Sequence, residues 1–130
     1  MRGLTLVEVL VVCIIVGILA TFAVPQYIAV KERGLDRVVQ AYLVSLQAAE
    51  RVYKMDAATY YPSSTGSDNN PATINAALKV DLPVSGLLSW AYTVYSDGKV
   101  EAVRNDTGAR TWTLNINDAS PTCSGTDCKK

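Results

Sequence analysis

From Leu4 to Val24 nearly every position is apolar, and one carboxylate interrupts the run near its start, at Glu8. No charge occurs from Val9 to Val24. A helix that is apolar on all sides meets lipid or other helices all round, not one face of a protein core. Beyond this run the pattern changes. Leu35, Val38, Val39, Tyr42, Leu46, Ala49 and Tyr53 recur at three- and four-residue steps. Asp36, Arg37, Gln40, Gln47, Glu50, Arg51 and Lys54 fall on the other face, which predicts an amphipathic continuation of the same helix. Together the two halves predict one helix from about Thr5 to about Asp56. At about 1.5 Å per residue it would reach about 75 Å, well beyond a hydrocarbon core of about 30 Å, so its rear must stand clear of a bilayer. Pro25 and Gly34 are its weak points. Proline removes a backbone donor and crowds the preceding turn, and glycine costs about 1 kcal/mol relative to alanine inside a helix. Gly17 is explained equally well by close approach of a second helix and by no special role.

The rest of the chain reads as short elements joined by turns. Residues 60–71 are polar and rich in Ser, Asn, Gly and Pro, the composition of a connector. Pro71 suits the first turn of a short helix over residues 72–78, with Asn70 as its cap. Residues 90–95 and 99–104 alternate apolar and polar positions around a Ser96-Asp97-Gly98 turn, which predicts a β-hairpin. A turn at residues 105–108 leads to a third strand over residues 110–116, and a shorter fourth strand fits near residues 82–88. A meander with one apolar face needs a cover, and the rear stripe of the long helix supplies it. Val94, Val100, Ala102, Trp112 and Leu114 are the core candidates, although either alternating set can face inward. The expected class is α+β: a long N-terminal helix packed on a small antiparallel sheet of three to four strands.

Charge and composition narrow the chemistry. The 12 basic and 12 acidic side chains cancel, and no basic block appears, so nothing marks a dedicated nucleic-acid surface. The absence of histidine removes the commonest general base and metal ligand. No convergent catalytic set remains, no cofactor is called for, and the expectation is a protein that is not an enzyme. Asp97, Asp106, Asp118 and Asp127 lie in turns where a calcium ion could bind, but as a ligand set they are incomplete and read more simply as turn-formers, so no metal is expected. Tyr27, Tyr42, Tyr53, Tyr60 and Tyr61 read as core or interface packing. Ser63, Ser64 and Thr65 suit glycans only by composition, and Asn105-Asp106-Thr107 fits an N-glycosylation sequon that a turn equally explains.

Glu8 is the informative residue. A charge at the centre of a membrane span costs about 2.5–3.5 kcal/mol on insertion scales, less toward an end, and such a residue normally has a partner and a job. Gly3-Leu4-Thr5-Leu6-Val7-Glu8 resembles the type III signal of type IV pilins and pseudopilins, with Leu4 where the family has phenylalanine and a leader of only Met1-Arg2-Gly3. The resemblance implies that a membrane peptidase cuts between Gly3 and Leu4 and that the new Leu4 amine is methylated. Glu8 would then pair with that amine between neighbouring copies and guide each subunit into a helical filament. Pro25 stands where the family has its helix-kinking proline. Cys123 and Cys128 form a C-terminal loop of the kind this family closes with a disulfide. A disulfide is also geometrically easy across Ser-Gly-Thr-Asp and implies an oxidising compartment. Reduced thiols, or half of a zinc site lacking two ligands, are the alternatives. Cys13, inside the apolar run, reads as a small apolar residue.

The organisation implied is a leader at residues 1–3, a membrane and filament-core helix at residues 4–30, and a globular head at residues 31–130. The expected partners are further copies of the chain, the prepilin peptidase, the cytoplasmic membrane before assembly, and the pilus assembly machinery. The expected location is a single pass of the inner membrane, then an extracellular pilus, with the head outside the cytoplasm. Flanking charge does not set this orientation, because Arg2 on one side faces Lys31, Arg33 and Arg37 on the other. Two other readings stand beside the pilus subunit. One is a type II secretion pseudopilin. The other is a secreted or tethered binding domain with an ordinary signal peptide, cleaved after Thr21-Phe22-Ala23 to leave Val24 first. The resemblance does not choose among motility, adhesion, DNA uptake and export.

Overall fold

A computed structural model of the chain describes residues 5–84, 90–105, 110–126 and 128. Helix α1 spans Leu6–Ala57 and runs through Pro25 without a break in its assignment. It ends where Ala58 turns left-handed, at φ 61°, with its N–H still donating to the Lys54 carbonyl, a common way to satisfy a terminal carbonyl. The chain divides into two units, Met1–Asp36 and Arg37–Lys130.

In the second unit the buried positions of α1 are Val39, Leu43, Leu46, Gln47 and Glu50. Their steps of three and four make one stripe. Leu43, absent from the predicted stripe, is fully buried. Val38, included in it, is 52 % exposed. Gln47 and Glu50, placed by sequence on the polar face, are buried instead. The reason for Gln47 is a pair of fixed acceptors: its side-chain amide donates to the carbonyls of Asn115 at 2.7 Å and Asp118 at 2.9 Å. A buried amide with both donors used is tolerated. Arg51 adds a bond of 2.8 Å to the Ile116 carbonyl, so one turn of helix holds the loop after the sheet's fourth strand.

Helix α2 is Pro71–Leu78. The Asn70 side chain accepts from the Ala72 N–H at 3.0 Å, the expected N-cap. The strand expected near residues 82–88 is absent over Leu82, Pro83 and Val84, and the remainder lies outside the described residues. The Asn75 side chain takes the place of a partner strand. It donates to the Leu82 carbonyl at 2.7 Å and accepts from the Leu82 N–H at 2.8 Å, which satisfies that backbone without a ladder.

The sheet has five antiparallel strands in sequential order: β1 Ser67–Asp68, β2 Trp90–Tyr95, β3 Val100–Arg104, β4 Arg110–Leu114 and β5 Thr122–Gly125. Strands β2, β3 and β4 are the predicted meander. Strands β1 and β5 are additions that edge it on either side, β1 through Ser67 opposite Tyr95 and β5 through Cys123 opposite Trp112. The inward set is Trp90, Tyr92 and Val94 on β2, Val100 and Ala102 on β3, and Leu114 on β4. With Val39, Leu43 and Leu46 from α1, Ile74 and Leu78 from α2, and Leu82, these make one core. Trp112 is half-buried and packs at its margin. Tyr42 meets Tyr92 edge-on at 5.8 Å, and Tyr53 meets Tyr61 at 5.7 Å.

The β2–β3 turn is a three-residue loop. Gly98 donates to the Tyr95 carbonyl, Tyr95 donates to the Lys99 carbonyl, and Gly98 has φ 84°, as a type I turn closed by a bulge requires. A Cβ on Gly98 would stand 3.2 Å from both the Ile116 Cβ and the Tyr60 ring. Gly98→Ala therefore meets backbone strain and crowding together. The expected loss is about 1–3 kcal/mol, measured by denaturant unfolding of the head.

Candidate assembly site on the N-terminal helix

Gly3 and Leu4, the expected processing residues, lie outside the described residues. The first described feature is a reciprocal cap. Thr5 precedes α1, and Glu8 is the third helical residue. Oε2 of Glu8 accepts from the Thr5 N–H at 2.9 Å and from the Thr5 hydroxyl at 2.8 Å. The Glu8 N–H donates back to Thr5 Oγ1 at 3.3 Å. This is a capping box, a Thr-x-x-Glu arrangement in which each side chain satisfies the other's orphan donor. The box is absent from the sequence-based expectations, although its Thr-x-x-Glu spacing is legible: in an apolar run Glu8 stands out as a charge more than as the partner of Thr5. A carboxylate in the first helical turn is also favoured by the helix dipole.

Beyond Glu8 the helix carries no charge until Lys31, and every residue from Leu6 to Lys31 is exposed. Leu6, Phe22 and Tyr27 are among the most exposed. This segment is long and apolar enough to cross a membrane. So large an uncovered apolar surface marks an interaction site, not a folded exterior. The polar groups within it are managed locally. The Thr21 hydroxyl donates to the Ile18 carbonyl at 2.6 Å. Pro25 has no N–H to give the Thr21 carbonyl one turn earlier. A Cβ on Gly17 would meet nothing within 4 Å, so no contact inside the chain requires glycine there. Cys13 is a free, exposed thiol on the same surface.

At the other end of the chain Cys123 and Cys128 form a disulfide, with Cα atoms 5.8 Å apart. Cys123 lies on β5, so the bridge ties Cys128 to the sheet edge. Of the turn aspartates, Asp97 accepts from the Lys99 N–H and Asp118 from both the backbone and the side chain of Asn115. Both act as turn-formers. Asp106 and Asp127 lie outside the described residues, and among the described residues no group of three or more potential metal ligands occurs.

Residues 1–24 match the family model described as the prokaryotic N-terminal methylation motif. The type II secretion system core protein G of Klebsiella pneumoniae is 38 % identical over 65 residues, covering 50 % of this chain and 46 % of that protein. The type IV wide pilus major component PilA4 of Thermus thermophilus is 35 % identical over 78 residues, covering 60 % and 55 %. Protein G of Vibrio cholerae is 39 % identical over 64 residues, covering 49 % and 44 %. The chain thus spans about half the length of the curated relatives it matches. No solved structure matches it. With a methylation motif at its N-terminus and both pilus and secretion-system proteins among the relatives it matches over about half their length, the chain resembles the type IV pilins and pseudopilins.

Proposed function

We propose that this chain is a structural, non-enzymatic subunit of a type IV pilus-like filament. One observation carries the reading: the apolar stretch of α1 from Leu6 to Val30 is exposed throughout, with a single carboxylate at its start, directly behind Gly3 and Leu4. Cleavage between Gly3 and Leu4 creates an α-amine four residues before Glu8, and methylation keeps that amine basic. The Glu8 carboxylate has two oxygens, and Thr5 occupies Oε2. Oε1 serves a neighbouring copy's amine. The two opposite charges then enter the filament core as a pair and avoid the cost of burying either alone.

Burial of the apolar segment supplies little net drive by itself, because lipid tails are as apolar as the helices that replace them. Close packing, helped by the open surface at Gly17, and the Glu8 pair select the filament over the dispersed subunit. Pro25 is the point where the helix yields as the subunit leaves the bilayer. The leader is residues 1–3, the core segment residues 4–30 and the head residues 31–130. The Cys123–Cys128 disulfide supports a head in an oxidising compartment outside the cytoplasm, after an inner-membrane stage that the apolar helix suits.

A pseudopilin is the second reading, favoured by the several protein G relatives. Electron microscopy of producing cells separates the two, since a pilus subunit yields surface fibres that vanish with its gene. The signal-peptide alternative places a cut after Ala23, inside a helix that continues to Ala57, and so severs a continuous element. N-terminal sequencing with mass analysis tests the proposal directly. Methylated Leu4 is the expected first residue; a native product beginning at Met1 or Val24 overturns the filament reading.

A further inference from the structure

Glu50 is the one carboxylate of the described residues with no exposed surface. It sits on the core side of α1, and its Oε2 accepts from the Tyr61 N–H at 2.9 Å. Its Oε1 is buried without a hydrogen-bond partner. The charged and titratable groups on the surrounding elements are engaged elsewhere. Arg51 donates to the Ile116 carbonyl, and Lys54 donates to the Tyr60 hydroxyl and lies over its ring. Asp68 on β1 accepts from the hydroxyls of Tyr61 and Thr73. Asp118 accepts from Asn115, and Lys99 pairs with Glu101 on β3. The Tyr53 ring packs on Tyr61. None of these contacts brings a positive charge to Glu50.

A buried carboxylate with one donor and no counter-ion is costly when ionised and tolerable when neutral. We propose that Glu50 is a proton-operated latch on the segment that follows α1: its neutral carboxyl lets residues 60–62 close over the helix, and loss of the proton drives that segment open. Opening admits water to the carboxylate, at the cost of the Tyr61 N–H bond and of the Tyr60 and Tyr61 side-chain contacts that hold the segment shut. The latch lies in the head, goes beyond the filament reading and does not depend on it.

Burial pushes the Glu50 carboxyl up from 4.5 to about 7, against the smaller opposing pull of the Tyr61 N–H. The closed state therefore holds the proton more tightly than the open one. Closure is fully favoured below about pH 4.5, weakens as pH rises through about 7, and is level beyond.

Hydrogen exchange at the Tyr60 and Tyr61 amides tests this, in the full chain in detergent micelles from pH 5.5 to 8.5, corrected for base-catalysed exchange. The opening equilibrium is expected to rise about tenfold or more across that range in the native chain, one power of ten per unit of pKa difference traversed. In Glu50→Gln it is expected to stay flat. A flat profile in the native chain, or the same rise in Glu50→Gln, overturns the latch. Should Glu50→Gln not fold, carboxyl carbon NMR of Glu50 in the native chain decides. A midpoint near 7 that tracks the exchange step supports the proposal, and a midpoint in the ordinary carboxylate range overturns it.

Discussion

Replacing Glu8 with alanine is expected to leave the chain in the membrane and to cut its entry into filaments by at least about tenfold. Removing one partner of a buried, hydrogen-bonded charge pair costs about 2–5 kcal/mol, and each 1.4 kcal/mol is a factor of ten in an equilibrium. The proposed membrane stage is not expected to depend on Glu8, because the apolar run from Val9 onward is intact and loses a charge it would have to accommodate. The capping box complicates a simple alanine test, since Glu8→Ala also removes the bonds to Thr5 at a cost of about 1 kcal/mol. Glu8→Gln separates the two roles. Glutamine serves at this position of a capping box as glutamate does, yet carries no charge. Assembly that fails in Glu8→Gln as in Glu8→Ala, with helix content unchanged by circular dichroism, assigns the defect to the charge. Normal fibre yield from Glu8→Gln would show that Glu8 is only a cap.

Leu43→Ala is expected to destabilise the head by about 2–5 kcal/mol, the cost of deleting a buried leucine and leaving a cavity. Leu43 is 0 % exposed in the core shared by α1, α2 and the sheet. Val44, its neighbour in sequence, lies about 100° further round the helix and is 47 % exposed. Val44→Ala is therefore expected to change stability by about 0.5 kcal/mol or less. For a unit of this size the difference amounts to roughly 10 °C or more in melting temperature. Thermal melts of both variants in the same detergent make the comparison. Equal shifts would mean that the rear of α1 does not bury the face described.

The contrast between Leu43 and Val44 also marks how far the sequence can be read. Periodicity places a helix through residues 35–53, but hydrophobicity alone smears its buried stripe. Val38 and Leu43 are both apolar, and only packing on the sheet shows that Leu43 is inside and Val38 outside. Gln47 and Glu50 are polar by type, and type alone places them toward solvent. Their burial depends on carbonyls at Asn115 and Asp118 and on an N–H at Tyr61, none of them within the helix itself. Strand β1 is two residues long and has no alternation to detect. It exists because Tyr95 and Val94 present an edge to Ser67 and Asp68. The Thr5–Glu8 box, by contrast, was there to be read from spacing alone.

The chain's own order of residues was enough to establish the long helix, its change from all-round apolar to one-sided, the β2–β3–β4 meander, the cap at Asn70 and the placement of a lone acid behind Gly3. Each is a local pattern, set by backbone geometry and by how many faces of an element avoid water. Only the tertiary structure decided which alternating set of the sheet faces inward, that five strands pair and not three or four, and that a carboxyl on α1 lies in the core. Those outcomes depend on which distant groups arrive as hydrogen-bond partners, and no local pattern encodes the arrival.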